Sequence, residues 1–316
     1  MRLLFFGSGS FAVPTLRNLQ QNHDIAAVIT QPDRPSGRGR KLTPTPVKER
    51  ALELGLEVIT VEQVNHESMV RRLLDFGADV GVVLAFGQKI GPEIRDSIPG
   101  GCINAHASLL PKYRGAAPFQ WTIINGEEKA GVTVFKLVQR MDAGPILTTR
   151  WTSPKPEETA DELHDRLAAI AVDAITGALE LYAADPNPPG EPQDDAAATR
   201  APKLRKEDGF IDFARPAAEL AHFVCGMWDW PGARCRFSSS DGTRNEDVVL
   251  ARARLAEGQT EGLPPGDLDA RLLLATADGM LELLEIKPAG GKLMTWPDFV
   301  NGRHVKAGDR FTRITD

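Results

Sequence analysis

The sequence predicts an α/β protein: a Rossmann-like, doubly wound and mostly parallel sheet, followed by a smaller C-terminal β-barrel domain of OB-like character. Three observations carry that reading. Over the first half, short apolar runs alternate with helical patterns, the signature of strand–helix–strand units. Some of those runs show no polar alternation, as strands covered on both faces do not. Beyond about Lys203 the character changes to short strand-like segments separated by Gly, Asp and Pro.

Each element follows in order. Leu3 to Phe6 reads as a buried first strand, and Pro14 to Gln20 as a helix with Pro suited to its first turn. Ile25 to Thr30 is the second strand, Val47 to Leu54 a helix, Glu57 to Thr60 a strand and Ser68 to Phe76 a helix. Val80 to Ala85 is a run of small apolar residues typical of a central parallel strand. Cys102 to His106 reads as a strand end, and Val132 to Val138 as the strand that delivers Asp142. A long helix covers Thr159 to Ala183. The Pro-dense stretch that follows, Asp185 to Gln193, breaks regular structure and marks a linker. Domains are therefore expected at 1–184 and 204–316, joined by 185–203. In the second, Ala233 to Phe237, Asp247 to Ala253, Arg271 to Ala275 and Leu281 to Ile286 are the strand-like segments.

Composition bounds the function. The chain has 316 residues, 42% hydrophobic and 25% charged, as in a soluble globular protein. No apolar run approaches the ~20 residues of a bilayer span, and the apolar N-terminal stretch is too short for a signal peptide. Cys102, Cys225 and Cys235 have no metal-ligand spacing, and their odd number argues against a disulfide framework. A reducing, cytoplasmic setting is expected, without a membrane. The formal net charge of −6 means that any RNA contact must rest on local positive charge.

The most informative segment is Cys102-Ile103-Asn104-Ala105-His106-Ala107-Ser108-Leu109-Leu110-Pro111-Lys112-Tyr113-Arg114-Gly115. On a strand, residues i and i+2 share a face, so Asn104 and His106 project to one side. An amide donor beside an imidazole suits a reaction that develops charge on a carbonyl oxygen and also moves a proton. Ser108 to Pro111 then turns the chain away.

Asn-x-His followed by Ser-Leu-Leu-Pro, and then Arg-Gly-Ala-Ala-Pro, resembles the formyltransferases that use 10-formyltetrahydrofolate. The resemblance implies a catalytic trio of Asn104, His106 and Asp142. Asp142 lies in the loop Met141-Asp142-Ala143-Gly144-Pro145, where the family carries a second Asp in place of Pro145. It also implies a folate site formed by Ser108, Leu109, Leu110 and Pro111 with Phe86 and Gly87, and no metal. Asn104 would stabilise the tetrahedral oxyanion. His106 would act as proton donor or polariser, oriented or charged by Asp142.

Two further stretches refine the reading. Gly7-Ser8-Gly9-Ser10-Phe11-Ala12 fits the G-x-G-x-x-A dinucleotide fingerprint. The second strand, however, ends Ile29-Thr30-Gln31-Pro32, with Asp33 already in the turn, so no acidic residue stands at its end for a ribose. The opening instead resembles family members that act on initiator tRNA. The stretch 31–48 connects a strand to a helix where two to six residues suffice. It carries Arg34, Arg38, Arg40 and Lys41 against Asp33, and phosphate contact is the natural use of such a loop. It resembles the insertion by which those tRNA-acting members grip the acceptor arm. From Leu204 onward there are 15 Lys+Arg against 18 Asp+Glu, so the second domain is not basic overall. Its resemblance rests on Ala201-Pro202-Lys203-Leu204, Ile211-Asp212-Phe213 and Lys287 to Lys292, with Lys203 and Lys206 as expected tRNA contacts.

The implied reaction is formyl transfer from 10-formyltetrahydrofolate to the α-amine of methionine on initiator methionyl-tRNA, by a monomer. A formyltransferase acting on an amino-sugar nucleotide or other small amine is the alternative of the same chemistry. A nucleotide-binding oxidoreductase is the alternative of another class.

Overall fold

The computed structural model describes residues 1–36, 39, 41–260 and 262–314. They form two compact units. The first comprises residues 1–118, 130–152 and 164–201; the second comprises 119–129, 153–163 and 202–314.

The first unit is built on β1 (Arg2–Gly7), β2 (Asp24–Thr30), β3 (Arg34–Ser36), β4 (Lys41–Thr43), β5 (Val58–Thr60), β6 (Val80–Leu84), β7 (Cys102–His106), β8 (Arg114–Gly115), β9 (Ala130–Lys136), β10 (Ile146–Thr152) and β11 (Arg200–Ala201). Its main sheet has the order β10-β9-β7-β6-β1-β2-β5. The pairs β1/β2, β1/β6, β2/β5 and β6/β7 are parallel. β9 runs antiparallel to β7, and β10 antiparallel to β9. The sheet is therefore mixed, with a five-stranded parallel core and an antiparallel flank.

Residue chemistry explains the core. Leu3, Leu4, Phe5 and Phe6 of β1 are all fully buried, because helices cover both faces of a central parallel strand. Burying each such side chain contributes roughly 1.5–3 kcal/mol. One cluster joins Leu4, Phe6, Ile29, Val83, Phe86 and Cys102. Two helix starts show their local signals, a proline in one and a capping hydroxyl in the other. In α1 (Val13–Asn22), Pro14 sits in the first turn. In α2 (Pro46–Glu53), Thr45 accepts from the Lys48 N–H at 3.1 Å. α3 (Glu67–Leu74) leads into β6, and the short α4 (Pro92–Arg95) into β7. α5 (Pro118–Ile124) precedes β9.

α6 (Ala160–Ala184) is long and apolar enough, by length and composition, to cross a membrane. The sequence contains no unbroken apolar run of that length, since Asp and Glu interrupt it. The stripe Leu167, Ala171, Ile175 and Leu179 is buried at the i, i+4 spacing of a core helix. Tyr182 Oη donates to Gly100 O at 2.8 Å, and Thr148 Oγ1 to Ala174 O at 2.7 Å.

The Pro-rich stretch after α6 is hydrogen-bonded to the first unit. Glu191 and Ile146 exchange both backbone N–H bonds at 2.7 Å, and β11 pairs in parallel with β8.

The second unit contains α7 (Ala217–Met227), β12 (Ala233–Ser238), β13 (Asn245–Ala256), β14 (Leu274–Ala275), β15 (Met280–Pro288), β16 (Met294–Thr295), α8 (Trp296–Arg303) and β17 (Arg310–Thr312). Its strands form an antiparallel sheet of order β14-β15-β13-β12-β17, with β16 on β15. Register breaks on either side of Arg252 bend β13, curling the sheet into a half-barrel. Phe237, Phe299, Phe311 and Trp296 pack as an aromatic core.

Candidate active site

The parallel strands set the place. β1 leads to β2 and β5 on one side, while β6 and β7 lie on the other, so the strand order reverses between β1 and β6. Crevices at such a reversal, outside the carboxyl ends of the strands, are where open α/β sheets bind ligands.

The Gly-rich turn after β1 does not hold a free set of amides. The N–H groups of Ser8 and Gly9 both donate to Ala85 O, at 3.2 and 3.1 Å. Ser8 Oγ and Gln31 Nε2 donate to Phe86 O, at 3.1 and 2.8 Å. The turn is thus fastened to the exit of β6, and the amides that would cradle a pyrophosphate are already engaged.

Asn104 and His106 stand two residues apart on β7, opposite Phe135 and Thr133 of β9. Asn104 is half-buried, and among the described residues nothing hydrogen-bonds its side chain. His106 is buried. Its Nε2 lies 2.8 Å from Tyr113 O, and its Nδ1 lies 3.9 Å from Asp142 Oδ2. A carbonyl oxygen can only accept, so Nε2 carries the proton of the neutral ring and Nδ1 is left open toward Asp142. The same Asp142 Oδ2 accepts from the Gly115 N–H at 2.9 Å, which anchors the carboxylate.

The backbone around this cluster occupies rare conformations. Ala85, Tyr113 and Asp142 all have positive φ, of 45°, 62° and 52°. Such residues cost of order 1–3 kcal/mol each and persist only where their surroundings over-determine them.

The other expected ligand-binding residues divide. Phe86 is buried edge-on against Phe6, with ring centroids 5.6 Å apart, so its ring belongs to the core and only backbone can face a ligand. Gly87 is exposed, with φ +80°. Ser108 Oγ donates to Lys112 O at 2.7 Å, which staples the turn. Leu109 reaches over Gly131, where any side chain would meet it. Leu110 is buried and Pro111 half-buried.

Arg34 and Lys41 lie on the antiparallel hairpin β3/β4, whose pairs are Arg34–Thr43, Pro35–Leu42 and Ser36–Lys41. The stretch expected as a loop therefore contains a paired ribbon. Arg38 and Arg40 lie outside the described residues. Lys203 and Lys206 are exposed in the second unit, Lys206 opening a short 3-10 turn.

Thr133 and Gln193 are not picked out by the sequence, and Arg114 enters it only within the Arg-Gly-Ala-Ala-Pro motif. Thr133 Oγ1, fully buried, donates to Ser108 O at 2.7 Å and accepts from the Leu110 N–H at 3.1 Å, so it holds both ends of the turn. Its signal was a lone hydroxyl inside the apolar run Ala130 to Phe135. Arg114 and Gln193 are joined side chain to side chain at 2.7 and 3.1 Å. Gln193 sat in a stretch legible only as Pro-rich.

Cys102 is buried on β7, and burial pushes its thiol up to about 12, which removes it as a nucleophile. Among the described residues no cluster of His, Cys, Asp and Glu could hold a metal ion. Cavities of about 460 and 580 Å³ lie away from His106, the first within the second unit and the second beside Gln88.

A sequence model of formyl transferases matches residues 1–179, and a model of the formyl transferase C-terminal domain matches residues 203–304. The chain belongs to the formyl transferase family. It is similar to a methionyl-tRNA formyltransferase of Solibacter usitatus, at 42% identity over 98% of both chains. The corresponding protein of Heliobacterium modesticaldum is 39% identical over 98% of this chain and all of its own. Among solved structures, an N-formyltransferase from Helicobacter canadensis matches at 16% identity and a TM-score of 0.64, covering 89% of this formyl transferase and 98% of that chain. HypX of Aquifex aeolicus, solved with tetrahydrofolic acid, matches at 18% and 0.59, covering 95% and 47%. At those identities the two structures show a shared fold.

Proposed function

We propose that this chain transfers the formyl group of 10-formyltetrahydrofolate to the α-amino group of methionine carried on initiator tRNA, working as a monomer in the cytoplasm. One observation carries the reading: relatives named methionyl-tRNA formyltransferase align with it from end to end, across both matched regions. Residues 1–184 would then be the catalytic domain, 185–203 a connection and 204–316 a tRNA-contacting domain. The reading as an oxidoreductase loses its support, because Ala85 occupies the amides of the first turn.

The site geometry supports the following roles. The amine nitrogen attacks the formyl carbon, forming a C–N bond and pushing the carbonyl electrons onto oxygen. The side-chain N–H of Asn104 donates to that oxyanion. The attacking nitrogen sheds a proton to Nδ1 of His106, which faces the Asp142 carboxylate 3.9 Å away. As the bond to the donor's N10 breaks, His106 returns the proton to that nitrogen. One formyl group and one proton have then changed places. The Ser108 to Pro111 turn, the backbone at Phe86 and Gly87, and the loop of Asp142 would line the folate slot. Arg34, Arg38, Arg40, Lys41, Lys203 and Lys206 would meet tRNA phosphates.

The test is to incubate the protein with 10-formyltetrahydrofolate and either charged initiator tRNA or an amino-sugar nucleotide, and to resolve products by electrophoresis and chromatography. Formyl-methionyl-tRNA is the expected product. Formylation of the sugar nucleotide alone would overturn the proposal.

A further inference from the structure

Asp142 sits in a loop, continued by Ala143 and Gly144, that belongs to no helix or strand. What holds it comes from 51 residues away. The Gln193 side-chain amide donates to Asp142 O at 2.9 Å and to Gly144 O at 2.8 Å. Its Oε1 accepts from Arg114 Nη2 and Nε, at 2.7 and 3.1 Å. Arg114 precedes Gly115, whose N–H holds Asp142 Oδ2. Gln193 therefore closes a ring that runs from the Asp142 backbone through Arg114 and Gly115 to the Asp142 carboxylate. Two residues on, Asp195 takes Arg114 Nη1 at 2.9 Å and Arg140 Nη1 at 2.7 Å; the Arg140 and Arg114 guanidiniums hold its carboxyl below the usual range.

The same stretch also reaches the other partner of His106. Thr199 Oγ1 accepts from the Tyr113 N–H at 2.8 Å, and Thr199 O from the Arg114 N–H at 2.9 Å. Tyr113 supplies the carbonyl that fixes His106 Nε2.

We infer that residues 193–199 form a clasp that sets the His106–Asp142 geometry, with Gln193 as the positioning residue for Asp142 and Thr199 as that for the Tyr113 carbonyl. The inference rests on the formyl-transfer reading of the site. Neither residue touches a reacting atom. Both act by holding groups in a geometry where a displacement of about 1 Å costs up to 10²-fold in rate.

The donor pattern gives a discriminating variant. Gln193→Glu keeps an acceptor for Arg114 and gains a charge for it, but it turns an oxygen toward Asp142 O and Gly144 O, where only a donor fits. If the side chain served merely to anchor the stretch through Arg114, the Glu variant would behave as wild type. On the clasp model it is as impaired as Gln193→Ala.

The experiment measures kcat and KM for initiator methionyl-tRNA in wild type, Gln193→Ala, Gln193→Glu, Thr199→Val and Asp142→Asn. Expected for both Gln193 variants are a kcat lowered about 10- to 10²-fold and an unchanged KM for tRNA. Thr199→Val should lower kcat as well. Wild-type kcat in either Gln193 variant, or a KM for tRNA raised as much as kcat falls, overturns the clasp. Full activity in Asp142→Asn would overturn the formyl-transfer reading of Asp142 instead, so the two failures are distinguishable.

Discussion

Two neighbours decide what His106 can do: a carbonyl at 2.8 Å on Nε2 and a carboxylate at 3.9 Å from Nδ1. The first fixes the proton of the neutral ring, and the second faces the other nitrogen. Asn104 completes the set with an amide that nothing else engages among the described residues. Steady-state turnover at saturating donor should fall about 10²–10³-fold in Asn104→Ala, as for a lost oxyanion donor. It should fall about 10²–10⁴-fold in His106→Ala, as for a lost acid–base group. Retained turnover in either variant would remove that residue from the mechanism. Thr133 makes a different kind of prediction. Thr133→Val keeps volume but strands the Leu110 N–H and the Ser108 carbonyl in a buried site. A buried group without its partner costs about 1–3 kcal/mol. Denaturant unfolding of the variant should show that loss, and an unchanged midpoint would mean that the turn re-forms its bonds elsewhere. Gly144→Ala should be worse, since its Cβ would be driven into the Lys136 carbonyl oxygen. That displaces the Asp142 loop, and turnover should fall along with stability.

At the level of elements, the hairpin β3/β4 presents Arg34 and Lys41 on a ribbon with exposed Leu42, on a chain that is acidic overall. Neutralising Arg38, Arg40 and Lys41 together should weaken tRNA binding and flatten its salt dependence. The log–log slope should drop by ~0.7–0.9 for each phosphate the variant no longer neutralises, while folate affinity stays unchanged. Equal slopes for variant and wild type across a salt series would make the hairpin mere solvated surface. Such elements were legible to different degrees, for physical reasons. β1, β2 and β6 lie within a residue or two of their expected bounds, because strands covered on both faces are apolar runs, and β7 matches through its Asn-x-His motif. β10, Ile-Leu-Thr-Thr-Arg-Trp-Thr, is not legible in the sequence; as an edge strand it leaves Thr149, Arg150 and Trp151 exposed and shows no apolar run. α7 is not legible in the sequence because only Ala218, Glu219 and His222 are exposed on it, too narrow a polar face to give it a period. The segment expected as a strand over Arg271 to Ala275 pairs only at Leu274 and Ala275, since Leu272 turns at φ +61°. At the site, Asn104, His106 and Asp142 could be picked out from short-range spacing and the family motif. Gln193 and Thr199 could not, because their meaning lies entirely in side chains that meet across 51 and 86 residues of chain.

For the molecule as a whole, acid is the condition that should expose where charge holds the second unit together. Arg252 stands where β13 breaks register, and it is the hub of a network. It donates to Glu162 Oε1 and to Glu285 Oε2 at 2.8 Å, and to Glu157 O at 2.6 Å. The Arg252 guanidinium, with help from the Thr159 N–H, holds the Glu162 carboxyl down at about 2. The sign follows from linkage. A carboxylate whose folded pKa lies below its unfolded value of 4.5 stabilises the fold above pH 4.5, and that stabilisation is lost as pH falls through about 2. Glu162 is half exposed to solvent, so its share is a screened one, and it is read better as a slope than as an energy. Thermal unfolding of wild type should therefore show the second unit losing stability steeply between pH 4.5 and 2. Glu162→Gln, which keeps the shape and removes the titrating group, should start lower at neutral pH and flatten that part of the profile. Arg252→Met should flatten it too, since without the guanidinium the carboxyl returns toward its ordinary value. The measurement is the midpoint of calorimetric unfolding as a function of pH, with the two units followed as separate transitions where they separate. Parallel profiles for wild type and both variants would mean that the bend in β13 is held by its aliphatic packing and that the network is a surface ornament of the sheet.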